Sequence, residues 1–266
     1  MDDPEVRIPA LHALEAIGPK AHAAVPQIAR LLSHPDAFIR VGATFTLKSI
    51  ATPAQKEDSV SVGAVEALRT ALWDERDVIA TTAGTHMAKL GPAASPALPD
   101  ALELLKRDKH ASMASQIIAA LAPESAAAIP TLMKRYEAAK GGSPSDAVTL
   151  ASFGPAAAQA VPLLERYANH DENNSPHTTL YALYCIRGDP SDLTKMVDLL
   201  KIEEKHYGIK GGVANYLKEL GVKAAPVADR VRKILAKGSV NEKHKKTFDE
   251  FLEKVKQGQG PLLESP

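Results

Sequence analysis

Apolar residues along this chain recur at helical spacing. From Ile39 through Ala43 and Leu47 to Ile50 they fall at i, i+4, i+8 and i+11, one face of an amphipathic helix. Just upstream, Ile28, Leu31 and Leu32 mark a shorter helix, and Leu102 and Leu105 do the same in a later segment. The breaker Ser33-His34-Pro35 separates the first two patterns, with Asp36 placed to cap the helix that follows. Strand-like alternation is sustained nowhere, so the elements predicted are helices throughout.

These elements repeat. Gly18-Pro19-Lys20-Ala21 leads to Val25-Pro26, Gly91-Pro92-Ala93-Ala94 to Leu98-Pro99, and Gly154-Pro155-Ala156-Ala157 to Val161-Pro162. Pro123 leads to Ile129-Pro130 in the same way, and in all four cases the prolines are seven residues apart. The Gly closes a helix in the left-handed region and the next Pro stops it from continuing. The second Pro suits the first turn of a new helix, where a missing N–H is harmless. Alignment places equivalent first-helix positions at Pro26, Glu66, Pro99, Pro130, Pro162, Thr194 and near Asp229. Second helices end at Ile17, Ile50, Leu90, Leu121, Phe153, Ile186, Leu220 and Val255. The prediction is an all-α chain of about seven helical hairpins preceded by one lone helix.

The pattern resembles HEAT repeats, an armadillo-like class, in the bacterial form related to phycobilisome-lyase-type repeats. The residues that carry it are Gly18-Pro19, Val25-Pro26, Leu31-Leu32, Asp36, Ile39-Arg40, Ala43, Leu47 and Ile50. Asp3, Val6-Arg7, Ala10, Leu14 and Ile17 repeat the second half. The resemblance implies a right-handed α-solenoid, first helices convex and second helices concave, over residues 1–256; residues 257–266 read as a disordered tail. Ala80, Ala111 and Ser143 stand where Arg7 and Arg40 stand, so a continuous Arg ladder is expected to end after the second unit.

Composition sharpens this picture. The chain has 44 alanines against 12 aromatics, which fits helices packed closely along their length. Gly63, Gly84, Gly141-Gly142 and Gly211-Gly212 interrupt helical stretches, and each either sits mid-helix at a cost of about 1 kcal/mol against Ala or marks a distortion in the stack. Loops at 51–62 and 169–176 are the longest polar connections. Lys plus Arg and Asp plus Glu are both 32, a balance that argues against nucleic acid or a membrane surface as partner. The sum conceals an asymmetry. Residues 201–266 carry 14 basic and 9 acidic groups, which makes Lys237, Lys243, Lys245 and Lys246 either a solvated end cap or a patch for an acidic partner. The lone first helix leaves two readings, a piece of a longer protein or a natural cap, and a native start at Met1 would imply a cytoplasmic protein.

Catalytic signatures are missing. There is no Walker loop, dinucleotide fingerprint, nucleophile elbow or zinc-protease His pair. The His-Glu dipeptides of the iron-binding deoxyhypusine hydroxylases do not occur. Asn169 to Asn174 reads as a polar loop rather than a calcium site, and Cys185 as a buried small hydrophobe rather than a nucleophile. No enzyme activity, cofactor or metal is therefore expected. What remains is surface. One row on the second helices reads His12, Phe45, Thr85, Gln116, Val148, Tyr181, Asn215, and the row three further reads Glu15, Lys48, Ala88, Ala119, Ala151, Tyr184, Lys218. The candidate contacts for a protein or peptide partner are His12, Phe45, Lys48, His86, Gln116, Tyr181, Tyr184 and Lys218. Phe45, Tyr181 and Tyr184 are either exposed anchors or, with the register off by one, core. His12 and His86 are expected on the solvent side. Two other readings stay open: a C-terminal HEAT module of a larger, sulfatase-like enzyme, and a DNA-glycosylase-type solenoid, for which Trp73 and an alanine-rich second-helix series are poorly suited.

Overall fold

The computed structural model describes residues 4–52, 61–170, 172–201, 208–238 and 240–258. Among them all regular structure is helical. The chain divides into two compact units, Met1–Thr131 and Leu132–Pro266.

In the first unit α1 (Pro4–Ile17) precedes the pairs α2 (Val25–Leu31) and α3 (Ala37–Ala51), α4 (Ser61–Ala71) and α5 (Asp77–Leu90), and α6 (Leu98–Leu105) and α7 (Ala111–Ala120). Helix α8 (Ile129–Ala138) spans the boundary. Asp36 caps α3 as expected, its Oδ1 accepting from the Phe38 N–H at 2.8 Å. Pro26 and Pro99 sit in the first turns of α2 and α6. The seven-residue links are themselves structured: Gly18–Ala24 and Gly91–Ala97 are 3₁₀ helices that start on glycines with φ of 64° and 55°. They bury Ala21 and Ala94, which is why small residues recur there.

Second helices pack on one another in order, α3 between α1 and α5, and α5 against α7. Their close approach depends on small residues. A Cβ on Gly42 would lie 3.1 Å from Leu11 Cδ1, and one on Gly84 only 2.2 Å from Met113 Cγ. Gly84 therefore marks no distortion: it lies inside α5 and admits the Met113 side chain of α7. Thr46 Oγ1 and Ser49 Oγ of α3 donate to the Leu11 and Glu15 carbonyls of α1, at 3.1 and 2.8 Å.

Charged links join successive repeats. Arg40 holds Asp74 through two bonds, Nε to Oδ2 at 2.6 Å and NH2 to Oδ1 at 3.1 Å. Its NH1 also donates to the His34 and Pro35 carbonyls. Arg69 reaches Asp100 at 2.6 Å, one repeat on. The arginines at this second-helix position end with Arg40, yet the linkage does not. Lys109, just before α7, pairs with Asp77 at 3.1 Å and donates to the Glu75 carbonyl.

The second unit repeats the scheme with α9 (Pro144–Ser152), α10 (Val161–Ala168), α11 (Pro176–Arg187), α12 (Pro190–Asp198), α13 (Ile209–Leu220), α14 (Ala228–Leu235) and α15 (Glu242–Gln257). Its 3₁₀ links are Gly154–Ala160 and Gly221–Val227. The second of these lacks the recurring spelling, because Val222 stands where the first Pro does. Glu137 pairs with Arg166 at 2.9 Å, Lys140 with Glu172 at 2.8 Å and Asp198 with Arg230 at 2.6 Å. Arg187 clamps Asp192, a carboxylate with no exposed surface, at 2.7 and 2.8 Å. Gly211 and Gly212 lie within α13 and receive side chains from both neighbours, His244 of α15 and His177 of α11. Here too the glycines make room for packing. Phe248 and Phe251 of α15 are fully buried. The expected tail lies outside the described residues beyond Gly258, as do 53–60 of the first long loop.

Candidate partner-binding face

The second helices carry the expected contact residues. Phe45 and Lys48 are one turn apart on α3, and Thr81, Thr85 and Lys89 form an i, i+4, i+8 row on α5 beside Thr82 and His86. These seven side chains line a single pocket of about 230 Å³ between α3 and α5. Three of the eight expected residues, Phe45, Lys48 and His86, thus meet in one place. The sequence reading missed Thr81, Thr82 and Lys89 as contacts; the signal for two of them was their four-residue spacing from Thr85, which was in the row.

The chemistry of the pocket is cationic and polar. Lys48 Nζ lies 5.1 Å from the centroid of the Phe45 ring, a cation–π contact on a half-buried aromatic. His86 does not face solvent as expected: only 5% of it is exposed, because α5 turns it toward α3. Its Nε2 has no hydrogen-bond partner among the described residues. Burial, reinforced by the charges of Lys48 and Lys89, pushes the imidazole down to about 4, so it is neutral at pH 7.

The remaining residues are dispersed. His12 on α1 and Gln116 on α7 are exposed and outside the pocket. In the second unit Tyr181 is 7% exposed, which places its ring in the core. Tyr216 of α13 stacks on it at 4.1 Å, and the Tyr181 hydroxyl donates to Glu219 Oε1 at 2.8 Å. Tyr184 is half-buried, its hydroxyl donating to the Lys223 carbonyl at 2.8 Å. Lys218 pairs with Glu250 of α15. Each of these three spends its polar group on the next repeat, which makes them fasteners within the chain.

Other candidate chemistry is accounted for locally. Asn173 is buried, and its Nδ2 donates to the Tyr167 carbonyl at 2.8 Å and to Thr179 Oγ1 at 2.9 Å. Burial pushes the Cys185 thiol up to about 11, so it is no activated nucleophile. Trp73 donates from Nε1 to Asp100 at 2.9 Å and lies under the Arg107 guanidinium. Of the C-terminal lysines, Lys245 pairs with Glu242, Lys237 and Lys246 are exposed, and the Lys243 side chain lies outside the described residues. Among the described residues no three His, Cys, Asp or Glu side chains gather as a metal site. No helix there is long and apolar enough to cross a membrane.

Paired helices stacked through like-placed links define an all-α, solenoid-like, HEAT-repeat-type fold, of the kind seen in bacterial phycobilisome lyases. A chain in the complex of CpcE and CpcF of phycocyanin lyase from Nostoc sp. PCC7120 matches with a TM-score of 0.58 at 19% identity, covering 87% of this chain and 94% of that one. An engineered protein matches with a TM-score of 0.50 at 18% identity, over 96% of this chain and 75% of that one. No family model and no curated protein matches the sequence.

Proposed function

We propose that this chain is a non-enzymatic HEAT-repeat scaffold that binds a protein or peptide partner through the face formed by its second helices. In this reading residues 1–256 form one right-handed α-solenoid of seven hairpins and a preceding helix, with that face concave. The observation that carries it is the pocket between α3 and α5, where Phe45, Lys48 and His86 converge with no catalytic partner beside them. An aromatic ring flanked by cations and hydroxyls is a recognition surface for a polypeptide. A net charge of zero, with an acidic surplus over residues 1–200, speaks against nucleic acid as that partner.

The test is site-specific photocrosslinking in the native host. Crosslinkers go at exposed Thr85 and Gln116 on second helices and at exposed Glu66 and Glu103 on first helices. The reading expects one and the same protein, identified by mass spectrometry, from both second-helix sites and not from the first-helix sites. Adducts confined to Glu66 and Glu103, or no adduct at all, would refute it.

A further inference from the structure

The pocket between α3 and α5 holds positive charge that its surroundings do not neutralise. Arg40, Arg69 and Lys109 in the same unit each hold a carboxylate. Lys48 and Lys89 form no ion pair among the described residues, and no carboxylate lines the pocket. Thr82 and Thr85 have hydroxyls free of hydrogen bonds there, and His86 lines the same pocket with its buried Nε2 unpartnered. Residues 1–200 carry 23 acidic against 18 basic groups, so an unneutralised cationic pocket runs against the local trend.

We infer that this pocket seats a side-chain carboxylate of an acidic segment in the partner, with Lys48 and Lys89 as the counter-charges, Thr82, Thr85 and His86 as donors, and the Phe45 ring as the wall for an adjoining apolar side chain. This rests on the partner-binding reading above and names the chemistry of its ligand. Carboxylate fits better than phosphate. Phosphate sites draw on arginine forks or on free N–H groups at helix N-termini. Here there is no arginine, and Thr81 to Lys89 and Phe45 to Lys48 lie inside helices whose N–H groups are already bonded. An ammonium group is a compact charge that a single carboxylate oxygen can meet, and a neutral imidazole N–H or a threonine hydroxyl adds a hydrogen bond. Such an occupant also relieves the one uncompensated buried nitrogen of the pocket.

The probe is a fluorescently labelled peptide of alternating Glu and Leu, read by anisotropy with the full chain. Its Gln–Leu counterpart, a phosphoserine–leucine peptide and inorganic phosphate are the other arms. The expected result is binding of the Glu peptide that weakens by about tenfold or more in the K48Q/K89Q variant and in the Gln–Leu peptide. It also perturbs the His86 ring resonances. Lys48 and Lys89 make no ion pair among the described residues, and the Lys48 contact with the Phe45 ring is worth about 1 kcal/mol at most, so the variant keeps a cooperative melt within a few degrees of wild type, which separates lost binding from lost folding. Equal binding by K48Q/K89Q overturns the inference, as does absence of Glu-peptide binding, or lysine-dependent binding of phosphate or phosphopeptide alone. None of these failures touches the crosslinking pattern at Thr85 and Gln116, so the two readings fail separately.

Discussion

Replacing Arg40 with Ala tests whether the repeats are held by a buried ion pair or by apolar packing alone. Arg40 and Asp74 side chains are 11% and 8% exposed, so both charges sit largely out of water. The guanidinium makes two bonds to Asp74 and two to main-chain carbonyls, between 2.6 and 3.2 Å. Breaking a buried pair from one side typically costs about 3–5 kcal/mol, an exposed one ~0–1 kcal/mol. Asp74 keeps the Arg76 N–H at 2.9 Å, which softens the loss. The expectation for Arg40→Ala is about 2–4 kcal/mol, read as a lower urea midpoint by circular dichroism at unchanged slope. Removing both charges together, as Arg40→Met with Asp74→Leu, leaves no orphaned carboxylate and returns stability to within about 1 kcal/mol of wild type. Burial pushes the Asp74 carboxyl up, but the bonds from Arg40 and the Arg76 N–H outweigh it and hold the group below the usual range. A carboxylate lowered in the folded state contributes stability above its unfolded pKa and loses it as pH falls through the folded one. Wild type should therefore lose stability below about pH 4 more steeply than the double variant. A double-mutant coupling under about 0.5 kcal/mol would refute the reasoning.

Three other substitutions probe separate links. Gly84→Ala gains helix propensity yet drives a methyl into Met113 Cγ, so the melting temperature should fall, by the equivalent of about 1–3 kcal/mol, whereas the same substitution in a Met113→Ala background should cause no further fall. His86 and His177 are both pushed down to about 4, chiefly by burial. The unfolded chain takes up protons first, so stability falls as pH drops from about 6.5 towards 4, by at most about 3 kcal/mol per group, and His177→Gln should flatten that slope in melts across the range. Tyr181→Phe keeps the stacking on Tyr216 and loses the hydroxyl's bond to Glu219 and its contact with the Cys185 thiol, for about 1–2 kcal/mol in urea unfolding, whereas Tyr181→Ala should lose at least twice as much.

The helical pairs, their period and the Gly-Pro punctuation were legible because each rests on local chemistry: a left-handed glycine, a proline in a first turn, an Asp cap. Those signals act within a few residues and need no partner to be recognised. The pocket was legible only in part. Phe45 and Lys48 were in the right rows, but whether His86 faced water depended on how α5 rolls against α3. A rotation of one position on a helix turns a side chain through roughly 100°, more than enough to move it from solvent to core. Tyr181 and Tyr184 show the same limit, since their roles were set by Tyr216, Glu219 and Lys223, about one repeat away in sequence. Spacing alone left the glycines of α5 and α13 either mid-helix or at a distortion of the stack. Only the packing of Met113, His177 and His244 against them showed that they let helices come close. The sequence by itself determined the repeat, because punctuation and periodicity are local. The tertiary structure alone decided which side chains meet, because contacts between repeats join residues some thirty apart whose pairing no spacing rule encodes.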